Sequence, residues 1–196
     1  MVVRPPDAVT VERLAGPEAL SQRVGELGRA VADGVPAGVV PVLVGVLAGA
    51  MPFLADLARA MRCQVEVDML GLTRFGGGGK VALAVDVSTP LAGRHVVLVE
   101  DMVDTGLTLR SVLAQLAARD VADMRVVTLL DRRARRLVDV PVDQAAFVVG
   151  DEFVVGYGLD WEGRYRNLPS LWAVTDLTAF ADDLPPLEAE GERTDG

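Results

Sequence analysis

The chain is short of aromatic residues, of cysteine and of positive charge, and each shortage narrows its function. Phe, Trp and Tyr make up 5% of the 196 residues against 51% hydrophobic residues overall, so the core must be built mainly from Val, Leu and Ala. That hydrophobic share excludes disorder of the chain as a whole. Cys63 is the one cysteine, so no intrachain disulfide forms, and its apolar surroundings predict a buried structural thiol rather than a nucleophile. Lys and Arg number 19 against 28 Asp and Glu, a formal net charge of -9. This balance argues against nucleic acid as the main partner, because phosphate backbones are held by basic surfaces. A small phosphorylated ligand needs only local donors and stays allowed.

Long apolar runs are missing as well. The nearest approach to the about 18 residues a membrane helix needs is Val39 to Leu57, which Pro41, Pro52, Asp56 and two glycines interrupt. Arg4, Pro5, Pro6 and Asp7 lack the layout of a secretory signal. The expected location is cytoplasmic, with no membrane partner.

The remaining residues alternate apolar runs with helical stretches. Leu20, Val24, Leu27 and Val31 recur at helical spacing over 18–31, closed by Asp33 and Gly34. Strands are predicted over 40–46, 64–70, 81–87, 95–99, 126–130, 145–149 and 153–157, and further helices over 51–61 and 108–118. The run His95 to Val99 is apolar and β-branched, as suits an interior parallel strand covered on both faces. The alternation predicts an α/β domain with a mainly parallel sheet flanked by helices. The domain is placed at 18–178, after an N-terminal extension (1–17) and before an acidic, disordered tail (179–196). Four consecutive glycines at 76–79 predict a mobile loop or tight hairpin. Lys80 follows them, but Val81 stands where a P-loop needs Ser or Thr.

Chemistry concentrates in Val96-Val-Leu-Val-Glu-Asp-Met-Val-Asp-Thr-Gly-Leu-Thr108. A buried strand ends in two adjacent carboxylates, then a turn of Asp104, Thr105 and Gly106 opens a helix. Ligands of open α/β sheets sit beyond the carboxyl ends of the strands. A helix start offers free amides and hydroxyls to a phosphate. Glu100 and Asp101 suit vicinal sugar hydroxyls, and Asp104 is a candidate general base. The plainer alternative makes Asp104 a helix cap and the other two solvated charges. Two acids directly after a buried strand, then D-T-G-x-T, favour a sugar phosphate.

The segment resembles the phosphoribosyl pyrophosphate (PRPP) signature of type I phosphoribosyltransferases. Other stretches are similar to the hypoxanthine-guanine phosphoribosyltransferase family in particular. Pro41 to Ala50 and Phe53 to Leu57 resemble its pyrophosphate-loop region, and Val65 to Asp68 the strand before its flexible loop. Leu129 to Arg132, Val138 to Asp143, Asp151 to Asp160 and Arg164 to Leu168 resemble its base-binding half. The resemblance implies the type I phosphoribosyltransferase fold with a small hood from the C-terminal region. It also implies transfer of phosphoribose from PRPP to hypoxanthine or guanine, with Mg²⁺ as cofactor and a homodimer or homotetramer as the assembly.

Carried over by position, Glu100 and Asp101 hold the ribose hydroxyls and Asp104 takes the purine N7 proton. Thr105, Gly106, Leu107 and Thr108 cradle the 5′-phosphate. Leu47, Ala48 and Gly49 meet pyrophosphate, with a cis peptide implied at Leu47-Ala48, and Arg166 contacts pyrophosphate too. Phe153 stacks on the base, Val154 pairs with it through its backbone, and Arg132 reads its 6-oxo group. Asp160, with Glu100 and Asp101, is the implied Mg²⁺ ligand set. Plainer readings keep Phe153 as core and join Asp160 to Arg166 as a surface ion pair. His95 receives no role. Arg133, Arg135 and Arg136, beside Arg132, read as a solvated face or an anion patch.

The chain departs from the family pattern at several points. Ala48 and Arg132 stand where lysines are usual, and arginine's planar fork changes the geometry offered to a base. Thr73-Arg74-Phe75 replaces a Ser-Tyr pair, and the glycine loop is short. Such a loop closes at a larger ordering cost. Two alternatives therefore stay open: transfer to a different base, or a PRPP- or nucleotide-sensing binder without turnover.

Overall fold

The computed structural model describes residues 11–75 and 80–174. The predicted glycine loop at 76–79 and the acidic tail lie outside the described residues. Among the described residues, nine strands and three α-helices run in the order β1 (Val11–Ala15), α1 (Pro17–Asp33), β2 (Val42–Leu47), α2 (Met51–Ala60), β3 (Glu66–Phe75), β4 (Lys80–Val85), β5 (His95–Val103), α3 (Leu107–Ala117), β6 (Asp123–Asp131), β7 (Gln144–Val148), β8 (Phe153–Val155) and β9 (Leu171–Val174).

Six strands form the main sheet in the order β4-β3-β2-β5-β6-β7. All neighbours are parallel except β3 and β4, which pair as an antiparallel hairpin. The apolar strand sequences follow from this position. In β2, Val42, Val44 and Val46 pack with Leu109, Val112 and Leu116 of α3 on one face. Leu43 points to the other face, where Leu20, Val24 and Leu27 of α1 and Phe53, Leu54 and Leu57 of α2 cover the sheet. A strand buried on both sides has no place for the polar alternation of a half-exposed one. Each fully buried Leu or Val contributes about 1.5–3 kcal/mol of burial.

A second sheet of three antiparallel strands, β1-β9-β8, forms the hood. Val155, Leu168, Trp172 and Val174 build its separate core, with Phe153, Trp161 and Tyr165 packed against it. Residues 11–15, read from the sequence as part of an extension, thus pair with β9. The strand predicted over 153–157 stops at Val155, because Gly156 and Leu159 bridge to each other in a turn and Tyr157 takes φ 47°.

One expectation is corrected: Cys63 is exposed. Helix α2 ends at Ala60 and buries Met61 at its C-cap, so Cys63 falls in the outward-facing turn before β3. Among the described residues, no helix is long and apolar enough to cross a membrane.

Candidate active site

The chain leaves β2 through α2 to reach β3 on one side, and leaves β5 through α3 to reach β6 on the other. The strand order therefore reverses between β2 and β5. A crevice opens at such a switch point. A cavity of about 480 Å³ lies there, lined by Val46 and Leu47 of β2, Leu72 of β3, and the continuous run from Glu100 to Gly106 with Thr108 and Leu109. Its size is that of a small-molecule site.

Glu100 and Asp101 stand at the end of β5. Glu100 is 5% exposed, and burial, reinforced by the neighbouring Asp101 carboxylate, pushes its pKa well above the ordinary range. Burial raises Asp101 as well, against the opposing pull of the Met102 amide and the Arg166 guanidinium. Two adjacent carboxylates poor in water constitute a site with unspent attraction for a cation or for hydroxyl donors.

The turn after β5 is shaped by Gly106, whose φ of 83° opens α3 from the left-handed region. A Cβ there would come within 3.1 Å of the Val138 carbonyl, so conformation and space both require glycine. No side chain caps α3, and Thr105 Oγ1 stands at a long 3.5 Å from the Leu107 amide. The Leu107 amide thus keeps only this long bond, and the start of α3 presents its partial positive charge at the cavity wall.

Asp104 lies between two arginines. Its Oδ1 is buried, 3.2 Å from Arg135 Nε, yet no donor is aligned to hydrogen-bond it. Its Oδ2 is 3.9 Å from Arg132 Nη1. Arg132 is buried, gives Nη2 to the Glu152 carbonyl beside β8, and leaves Nε buried without a partner. A buried acceptor on Asp104 and a buried donor on Arg132, on side chains that approach to 3.9 Å through their other atoms, are both left unsatisfied. Such atoms are costly unless a ligand completes them.

Behind the carboxylates, the Leu47-Ala48 peptide is cis, as the resemblance implies. A Cβ on Gly49 would lie 1.5 Å from Asp101 Oδ2, and one on Gly158 would lie 2.0 Å from the Gly49 carbonyl. The 47–49 loop is therefore sandwiched between Asp101 and the hood. Arg166 donates to the Gly158 carbonyl (2.6 Å) and pairs with Asp160 Oδ1 (2.7 Å), whose Oδ2 accepts the Gly163 amide. The plainer ion-pair reading of Asp160 and Arg166 thus describes a contact that exists, placed where Arg166 also pulls on Asp101.

Seven of the predicted residues line one cavity: Leu47, Glu100, Asp101, Asp104, Thr105, Gly106 and Thr108. Ala48, Gly49, Leu107, Arg132, Phe153, Val154, Asp160 and Arg166 stand outside its lining. Of these, Gly49 abuts Asp101 and Arg132 approaches Asp104. Leu107 turns its side chain outward at 45% exposure, leaving its amide as the relevant group. Val154 is buried and pairs with Ala173. The Phe153 ring meets Trp161 edge-on at 5.1 Å. Trp161 was not anticipated, because the contact depends on the turn at 156–159 folding it back.

The arginine cluster is neither a uniformly solvated face nor an open anion patch. Arg133 and Arg135 have side-chain exposures of 69% and 46%, but Arg132 and Arg136 fall to 7% and 18% and are spent on internal partners.

Residues 19–162 match the phosphoribosyl transferase domain family. The hypoxanthine-guanine phosphoribosyltransferase of Streptococcus pneumoniae is 40% identical over 137 residues, spanning 68% of this chain and 76% of that one. The hypoxanthine phosphoribosyltransferase of Salmonella typhimurium is 39% identical over 173 residues, 86% of this chain and 97% of that one. A crystal structure of a hypoxanthine-guanine phosphoribosyltransferase from Bacillus anthracis superposes with a TM-score of 0.81 at 33% identity, covering 85% of this chain and 99% of that one.

Proposed function

The chain belongs to the hypoxanthine-guanine phosphoribosyltransferase family, and from that premise we propose that it transfers phosphoribose from PRPP to a 6-oxopurine in purine salvage, at the cavity between β2 and β5. The observation that carries this reading is the gathering of Glu100, Asp101, Asp104, Thr105, Gly106 and Thr108 around one volume.

The residues divide the work as the chemistry requires. Amides and hydroxyls of 105–108 hold the 5′-phosphate at the start of α3. Glu100 and Asp101 accept hydrogen bonds from the ribose hydroxyls, which relieves part of their burial cost. The bond from the anomeric carbon to pyrophosphate breaks as the purine nitrogen bonds to that carbon. Positive character develops on the ribose between them, beside the two carboxylates. The base's N7 proton passes to Asp104, whose Oδ1 has no competing hydrogen bond. Arg132 offers its unpartnered Nε toward the base, whose 6-oxo group is the complementary acceptor. Arg166 and the 47–49 loop meet the leaving pyrophosphate.

A divalent cation fits this donor set. The carboxylates are hard oxygen ligands, and among the described residues no group of three or more His, Cys, Asp or Glu converges into a cage. Mg²⁺ suits such places, because it binds through substrate phosphates with few protein ligands. Glu100 and Asp101, adjacent at the end of β5, are the residues that would hold it; Asp160, which the resemblance adds to the ligand set, does not converge with them into one group. Its contribution when bound is to neutralise charge on the leaving pyrophosphate.

The test is a PRPP- and Mg²⁺-dependent assay over hypoxanthine, guanine and xanthine, reading nucleotide and pyrophosphate together. Turnover with at least one 6-oxopurine is expected, and Asp104→Asn should lower kcat by about 100-fold or more. A folded protein that binds PRPP but releases no pyrophosphate with any base would replace the transferase reading by a binding one.

A further inference from the structure

Asp104 needs its own support, because it lies one residue past the sheet. The last β5–β6 pair is Val103 with Asp131, so regular pairing cannot take the Asp104 carbonyl. Arg136 takes it. From the turn after β6, its Nη1 donates to the Val103 carbonyl (2.7 Å) and to the Asp104 carbonyl (2.5 Å). Its Nη2 donates to Asp131 Oδ1 (2.5 Å), and the other oxygen of that carboxylate accepts Arg133 Nε (2.7 Å). Asp131 has 2% of its side chain exposed and Arg136 18%.

We infer that Arg136, anchored by Asp131, is a positioning residue that fixes the main chain of Asp104 and thereby aims its carboxylate at the base. The inference rests on the reading of Asp104 as proton acceptor. A buried ion pair is a poor means of stabilising a fold, since apolar residues of similar size often serve as well. What this pair provides is geometry. One planar fork joins the end of β6 to two successive carbonyls at the end of β5, and a fork is the donor shape that does so rigidly. The phosphate side of the turn has a separate fastening, in the Leu137 and Val138 amides that donate to the Thr105 carbonyl. Arg136 thus controls Asp104, and the main chain of 137–138 holds Thr105. The sequence hides this role because the partners are carbonyls, which every residue has.

Lysine at 136 keeps the charge but not the fork. Arg136→Lys should lower kcat by about 30- to 100-fold, the scale of a small misplacement of a reacting group, while KM for PRPP stays within about three-fold because the phosphate fastening survives. Combining Arg136→Lys with Asp104→Asn should cost nothing beyond Asp104→Asn alone, since a residue acting through Asp104 is non-additive with its loss. Asp131→Asn, which removes the anchor's charge and leaves Arg136 in place, should show the same kcat-selective loss, and it carries the test if Arg136→Lys does not fold. A folded Arg136→Lys or Asp131→Asn with kcat within about two-fold of the parent, or additive losses in the double variant, overturns the inference while leaving Asp104 in its role. Full turnover by Asp104→Asn overturns both.

Discussion

Glu100 leaves 5% of its surface to solvent at the end of β5, where burial and the Asp101 carboxylate beside it raise its pKa well above the ordinary 4.5. The unfolded chain releases this proton at the ordinary value. Above about pH 4.5 the folded state therefore binds more protons than the unfolded one, and stability falls as pH rises through the raised value. Stability is being given up at a carboxylate proposed to meet the ribose hydroxyls, as is common at functional sites. Glu100→Gln should accordingly raise the melting temperature of the ligand-free protein at pH 7 to 8 by a few degrees. Below pH 4 the two proteins should melt together. Turnover should meanwhile fall by about 10-fold or more through the lost ribose contact. Melting curves at several pH values check the first point, and a variant no more stable than the parent at neutral pH would place Glu100 among partners that already satisfy it.

Asp68 shows the opposite sign in the β3–β4 hairpin. Burial alone would raise its pKa, but the amides of Thr89, Met69 and Ser88 and the Ser88 hydroxyl outweigh it and draw the value down to about 2. The carboxylate ties the chain emerging from β4 back onto β3, closing the base of the β3–β4 hairpin. A lowered pKa stabilises the fold fully above the ordinary 3.8, and the contribution fades as pH falls toward 2. Asp68→Asn should cost about 1–2 kcal/mol near neutral pH, and the gap should shrink in urea titrations between pH 4 and 2.5. A gap that stays constant would mean that packing, not charge, holds the loop. Elements differed in how far the sequence revealed them. The parallel strands were legible because burial on both faces leaves an unbroken apolar run, as in β2 and β5. Strand β1 was not, because Val11–Ala15 carries Glu12 and Arg13 outward and pairs with Leu171–Val174 at the far end of the chain. The turn at 104–106 proposed to hold phosphate was legible from spacing within one segment, whereas Trp161 against Phe153 and Arg136 against two carbonyls exist only through tertiary contact.

At the scale of the molecule, the main sheet carries Glu100, Asp101 and the turn at 104–106, while the hood carries Phe153, Asp160 and Arg166, the residues proposed to meet base, cation and pyrophosphate. A complete site therefore needs the two sheets held in register. Three fastenings do this near the 47–49 loop: Gly158 against the Gly49 carbonyl, Arg166 near Asp101, and the Tyr157 hydroxyl donating to Asp56 of α2. Burial, with help from the Asp56 carboxylate, raises the Tyr157 pKa far beyond working pH, so the hydroxyl keeps its proton and remains a donor. Tyr157→Phe removes that donor and little volume. It should cost about 1 kcal/mol of stability, close to 2–4 °C in a chain of this size. The loosened hood should also raise KM for PRPP several-fold, since Gly158 and Arg166 lie on the turn that Tyr157 pins, while kcat at saturation changes little because Asp104 is fastened from the opposite side by Arg136. Steady-state kinetics beside melting curves separate the two effects. A lower melting temperature with unchanged KM would show that the hood keeps its register without this bond, and that Gly158 packed on Gly49 suffices to join the two halves of the site.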